Sequence, residues 1–176
     1  MLERMEKDKQ IKNVGSPHSR LEAHWSSSKR KHPGLNSYLH EIMCGDLYVS
    51  CTIAGAEQWE EKPEFGAVGL IPDATCFLAG KRVYWEADRN TESPEKIIRK
   101  CEKYVKVSRQ DNPFYVVFVA HETNRANQFI KLLGDLHRRN QFLVTLHEYV
   151  RTSPLMSEYV SPSNPSDFQF LSDIDV

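Results

Sequence analysis

No run of apolar residues in this chain approaches the ~18 that a membrane-spanning helix needs. The opening MLERMEKDKQ has no apolar stretch of the kind a secretory signal requires. The expectation is a soluble, cytoplasmic protein with no membrane partner. Cysteine is sparse: Cys44, Cys51, Cys76 and Cys101 stand apart, with no CxxC pair and no histidines at finger spacing. A disulfide framework and a structural zinc site are therefore not expected. Neither charge sign dominates, because 23 Lys/Arg face 24 Asp/Glu for a net charge of −1. Bulk charge thus names no polyanionic partner. There is no GxSxG, HExxH or P-loop, and no internal repeat.

What is present is an ordinary globular composition. The 176 residues are 40% hydrophobic and 27% charged, enough to bury one core without covalent staples. Charge is uneven along the chain. Residues 1–32 hold eight Lys/Arg against four Asp/Glu, while residues 151–176 hold Arg151 against four acids. This sets apart a basic N-terminal arm (1–35), an α/β domain (36–152) and an acidic C-terminal tail (153–176). The arm is a candidate for phosphate contact. A short helix is expected near Leu21–Trp25, and the tail, with SPSNPSD, reads as a linker.

Within the domain the hydrophobic period alternates between helix and strand. Leu39, Ile42, Met43, Leu47 and Tyr48 recur at helical spacing, with Asn36 or Ser37 as cap, predicting a helix to about Ala54. Glu57 to Phe65 is a candidate edge strand. LIPDATCFL, AGK and RVYWEAD predict a hairpin around a glycine turn. Ser93-Pro94-Glu95 opens a helix with Ile97, Ile98, Cys101, Tyr104 and Val105 in one stripe. FYVVFVA (114–120) has the continuous apolar character of a buried central strand. A helix follows from Thr123, with Phe129, Ile130, Leu133 and Leu136 inward and Arg138-Arg139-Asn140 closing it. QFLVTLHEYV reads as the last strand. The fold class is α/β: a mixed central sheet flanked by helices, in the order helix, hairpin, helix, strand, helix, strand.

The hairpin carries the candidate chemistry. Side chains alternate along a strand, so Glu86 and Asp88 share a face. If Gly80-Lys81 is the turn, Asp73 pairs with Asp88; if Ala79-Gly80 is the turn, Asp73 faces Glu86. Directly paired side chains have Cβ atoms about 4.5–5.5 Å apart, and like charges so placed repel unless a cation or proton intervenes. A hard divalent cation, Mg²⁺ (or Mn²⁺), prefers such oxygen ligands. Lys96, Lys100, Lys103 and Tyr104 form one flank of the next helix and are candidates to meet a phosphate.

Pro72-Asp73, then twelve residues, then Glu86-Ala87-Asp88 resembles the PD-(D/E)XK nuclease signature. Lys100-x-x-x-Tyr104 resembles the Gln-x-x-x-Tyr element of its RecB-type members. LHEIMCGDLYVS, IPDATCFL, YWEADRNTES and KIIRKCEKY are similar to the plasmid replication-relaxation family over roughly residues 36–120. The resemblance implies a restriction-endonuclease-like core and Mg²⁺-dependent phosphodiester hydrolysis on DNA. Asp73 and Glu86 would hold the metal, with Asp88 as further ligand or water-positioning group and Asp46 as an extra acid. Lys100 would stand in for the signature lysine, whose place Asp88 takes. His40 belongs to the resembling helix motif, although a lone helical histidine more often packs or faces solvent. The competing expectation is a catalytically inactive module of the same fold. It would bind DNA or a protein, a second copy or another mobile-element protein, in plasmid replication control. The resemblance implies relatives that often carry a winged helix upstream, and with a leader of residues 1–35 one is not expected here.

Overall fold

A computed structural model describes residues 11–15, 24–27, 35–107, 114–134, 141–166 and 168–171. The chain divides into two compact units, Met1–Leu39 and His40–Val176. In the first unit, β1 (Ile11–Gly15) and β2 (His24–Ser27) pair antiparallel, with an irregularity between Asn13 and Gly15. This corrects the helix expected near Leu21–Trp25, since His24 and Trp25 lie in β2. Leu21–Ala23 fall outside the described residues. No apolar stripe supported that helix, and the strand ladder supplies the backbone partners instead.

The sequence places α1 at Leu35–Ile53, β3 at Glu57–Glu61, β4 at Ala74–Leu78 and β5 at Lys81–Asp88. Then come α2 (Pro94–Val107), β6 (Phe114–Ala120), α3 (Thr123–Gly134), β7 (Phe142–Leu146) and α4 (His147–Thr152). Two short strands, β8 (Tyr159–Val160) and β9 (Phe168–Gln169), complete the order. Among the described residues, seven strands form one sheet in the order β3-β4-β5-β6-β7-β8-β9. The β5–β6 and β6–β7 pairs are parallel, and the outer pairs are antiparallel. The mixed α/β fold is thus as expected, with β3 at one edge.

Two differences concern the C-terminal part. The stretch expected as a final strand bends into α4 at His147, because Val150 turns into the core and is fully buried. The expected linker instead adds β8 and β9. Tyr159 and Leu171 are fully buried there, and the Tyr159 hydroxyl donates to the Pro154 carbonyl at 2.7 Å. Leu136 and Arg138-Arg139-Asn140 lie outside the described residues.

Each sheet face covers a core. Val83, Trp85, Ala87, Val117 and Val119 pack with Met43, Leu47 and Cys51 of α1. Tyr84, Val116, Phe118 and Ala120 pack with Ile97, Cys101 and Tyr104 of α2 and Phe129 and Leu133 of α3. Burying one such side chain fully contributes about 1.5–3 kcal/mol. Pairing of Ala74 with Trp85 and of Leu78 with Lys81 makes Ala79-Gly80 the turn. Both turn residues have positive φ, 51° and 74°, as a two-residue type I′ hairpin requires. That register sets Asp73, just before β4, at the same end as the C-terminus of β5.

Candidate functional site

Asp73, Glu86 and Asp88 all lie at this strand end, but each carboxylate is held by a different helix. Glu86 is 2% exposed. Its Oε2 accepts from Lys100 Nζ at 2.8 Å and its Oε1 from the Tyr104 hydroxyl at 2.6 Å, both on α2. Lys100 also pairs with Glu92 at 3.0 Å. Burial is the main reason that the Glu86 carboxyl is pushed up to about 7, with Asp73's charge adding to it and Lys100 opposing. Burial pulls the Lys100 ammonium down, but Glu86 and Glu92 outweigh it and hold it well above the usual lysine value. Burial, then Glu86, raises Tyr104 far above an ordinary phenol.

Asp88 is closed in the same way by α3. Arg125 Nη2 donates to its Oδ2 at 2.8 Å and to the Glu92 carbonyl at 2.7 Å. The backbone N–H groups of Asn90 and Thr91 donate to its Oδ1. Arg125 is 4% exposed, bonds Gln128 at 3.0 Å, and lies over the Phe129 ring at 4.7 Å. A guanidinium so enclosed replaces solvent as the counter-charge of Asp88.

Asp73 faces side chains of α1. Its Oδ2 accepts from Ala87 N at 2.8 Å, and its Oδ1 lies 3.2 Å from His40 Nε2. The same ring nitrogen lies 3.6 Å from Cys44 Sγ. The hydrogen bond to Asp73, then the one to Cys44, raises His40 to about 10. Burial raises the Cys44 thiol, although His40 opposes it. This part is more open: the side chains of His40 and Asp73 are 26% and 19% exposed.

The remaining expected site residues separate. Lys96 is exposed. Lys103 Nζ donates to the Gly69 carbonyl at 2.6 Å. Tyr104 is buried against Glu86 and so cannot meet a substrate as drawn from sequence. Asp46 sits opposite His147, with Oδ2 and Nε2 3.1 Å apart at ion-pair distance but out of hydrogen-bond alignment. Burial holds His147 below its ordinary value even so. Cys44, Arg125 and His147 are the participants that sequence reasoning passed over. Only Cys44 carried a signal, since His40-x-x-x-Cys44 places both on one helix face.

Magnesium takes oxygen ligands at about 2.0–2.1 Å in near-ideal octahedral geometry, so its donors must converge on one point. Asp73, Glu86 and Asp88 do not form a group within 4.8 Å of one another; among the described residues, His40, Cys44 and Asp73 do. The oxygens of Glu86 and Asp88 already face an ammonium, a phenol, a guanidinium and two amides. As arranged, the three carboxylates do not fit a shared Mg²⁺ ion.

A family model described as replication-relaxation matches residues 10–119. The chain belongs to the replication-relaxation family. The match ends beside the resemblance read at residue 120 but begins upstream of residue 36, so it takes in β1 and β2. It connects the chain to plasmid replication and mobility. No curated protein and no solved structure matches the chain.

Among the described residues, no helix is long and apolar enough to cross a membrane.

Proposed function

We propose that this chain is a DNA-engaging module of plasmid replication control, on a PD-(D/E)XK-like core whose acidic strand end serves as a clamp and does not cut. The observation behind this reading is the enclosure of Asp88 and Glu86. Each is less than 5% exposed, and each is neutralised from within by Arg125 or Lys100. The signature lysine is missing at position 88 because Asp88 instead recruits Arg125 and ties α3 to β5. DNA would meet the outer face of α2. There Lys96, Arg99, Lys103 and Lys106 recur at positions i, i+3, i+7 and i+10, one line along a helix. Lys96, Arg99 and Lys106 are exposed.

Phosphate contacts make affinity fall linearly on a log–log salt plot, by about 0.9 per phosphate neutralised on duplex DNA. A salt titration of plasmid-DNA binding tests the reading, comparing wild type with the Lys96→Glu/Arg99→Glu double variant. Weaker binding with a shallower slope supports it. Salt-independent binding, or none by wild type, removes it.

A second reading, Mg²⁺- or Mn²⁺-dependent cleavage, is favoured by one specific contact. Lys100 Nζ stands 2.8 Å from Glu86 Oε2, and to serve a phosphodiester it would have to exchange its Glu86 and Glu92 partners for the phosphate. Nicking of supercoiled or branched DNA by wild type but not by Glu86→Ala would establish it over the first.

A further inference from the structure

We propose that His40 Nε2, Cys44 Sγ and Asp73 Oδ1 form a three-ligand site for a borderline-soft divalent transition ion, zinc above all, with a fourth position open to solvent. The two separations that His40 makes suit that ion. Zinc binds thiolate sulfur at about 2.3 Å and nitrogen or oxygen at about 2.0–2.1 Å, in tetrahedral array. A tetrahedron with those bonds has a sulfur–nitrogen edge of about 3.6 Å and a nitrogen–oxygen edge of about 3.3 Å. The chain shows 3.6 Å from Cys44 Sγ to His40 Nε2 and 3.2 Å from His40 Nε2 to Asp73 Oδ1. All three donor atoms lie within 4.8 Å of one another.

One ring nitrogen faces both the thiol and the carboxylate. It carries at most one proton, which cannot point at both partners with good geometry. A cation placed among the three satisfies all of them together. The donors are also held in position. His40 and Cys44 are one helical turn apart on α1. Asp73 is fixed through its other oxygen by Ala87 N at 2.8 Å, the kind of outer contact that orients a metal-ligating carboxylate. The Lys62 ammonium is paired with Glu41 at 3.1 Å. All three residues are half-buried, so an ion can enter and a water or other oxygen can take the remaining position. The thiolate and imidazole select zinc-like ions over magnesium. With two anionic ligands the occupied site is neutral.

This site does not depend on the DNA reading, and its test is spectroscopic. Cobalt(II) is added to the metal-free full chain, and the thiolate-to-cobalt charge-transfer absorption and the tetrahedral d–d bands are followed. The expectation is one equivalent bound, displaced by Zn²⁺. Cys44→Ser should lose the charge-transfer band, and His40→Gln should weaken binding at least tenfold. Asp73→Asn is a third variant in case either of these fails to fold, which circular dichroism reports. No band in the wild type, or a band kept in Cys44→Ser through another cysteine, overturns the site. A chain that binds DNA but shows no band loses this proposal alone. A chain that shows the band but binds no DNA loses the DNA reading alone.

Discussion

The two halves of the acidic strand end are built from the same residue types to opposite effect. On the β5 side, Glu86 and Asp88 are buried, and each meets a strong base from a crossover helix: Lys100 of α2 and Arg125 of α3. On the β4 side, Asp73 is half-buried and meets His40, a weaker base that it shares with Cys44. The first half has its charges balanced inside the protein. The second sets one ring nitrogen against both a carboxylate and a thiol. A carboxylate cluster is therefore not one site by virtue of proximity; what each acid faces decides what it can do.

The comparison breaks most visibly at Arg125. Replacing it with leucine leaves Asp88 buried without its counter-charge, a loss of about 3–5 kcal/mol. Asp88→Asn in the same background should recover part of it, and a coupling above about 1 kcal/mol in a double-mutant denaturation cycle would show that the pair acts as a unit. Additive losses would show that Arg125 matters only through its packing on Phe129.

Glu86 gives the next effect, and it depends on pH. Its folded value of about 7 lies above the 4.5 of an ordinary glutamate, so the folded state holds the proton more tightly than the unfolded one. The resulting stability is fully present below pH 4.5 and is lost as pH rises through about 7. Glu86→Gln should flatten the stability profile across that window. An unchanged slope would mean that Glu86 does not titrate there. Asp73→Asn should cost less than Arg125→Leu by urea denaturation, because its partners are less deeply buried. A loss as large as that of Arg125→Leu would erase the distinction between the halves.

Much of the frame was legible from local pattern. The apolar run 114–120, the Ser93-Pro94 helix start and the glycine turn each announce one element, and the shared face of Glu86 and Asp88 follows from strand alternation alone. The partners were harder to read. Arg125 lies 37 residues from Asp88 and is brought there only when α3 docks on the sheet. Lys100 was readable because α2 follows β5 directly. The same limit explains the tail. Tyr159 and Leu171 sit among Pro, Ser and Asn residues that read as linker, and only the sheet edge beyond β7 shows why they are buried. His40 and Cys44 stood one helical turn apart in the sequence, yet Asp73, which turns them into a group, is 33 residues from His40.

The most direct test of the clamp is the melting temperature of the wild-type chain as Mg²⁺ is raised to tens of millimolar, with Zn²⁺ excluded by chelation. Ligand bound only to the folded state stabilises by RT ln(1 + [L]/Kd). Because Lys100 and Arg125 already neutralise Glu86 and Asp88, the account expects no rise beyond that of a matched monovalent-salt control. A saturating rise with Mg²⁺ that Glu86→Gln abolishes would contradict it.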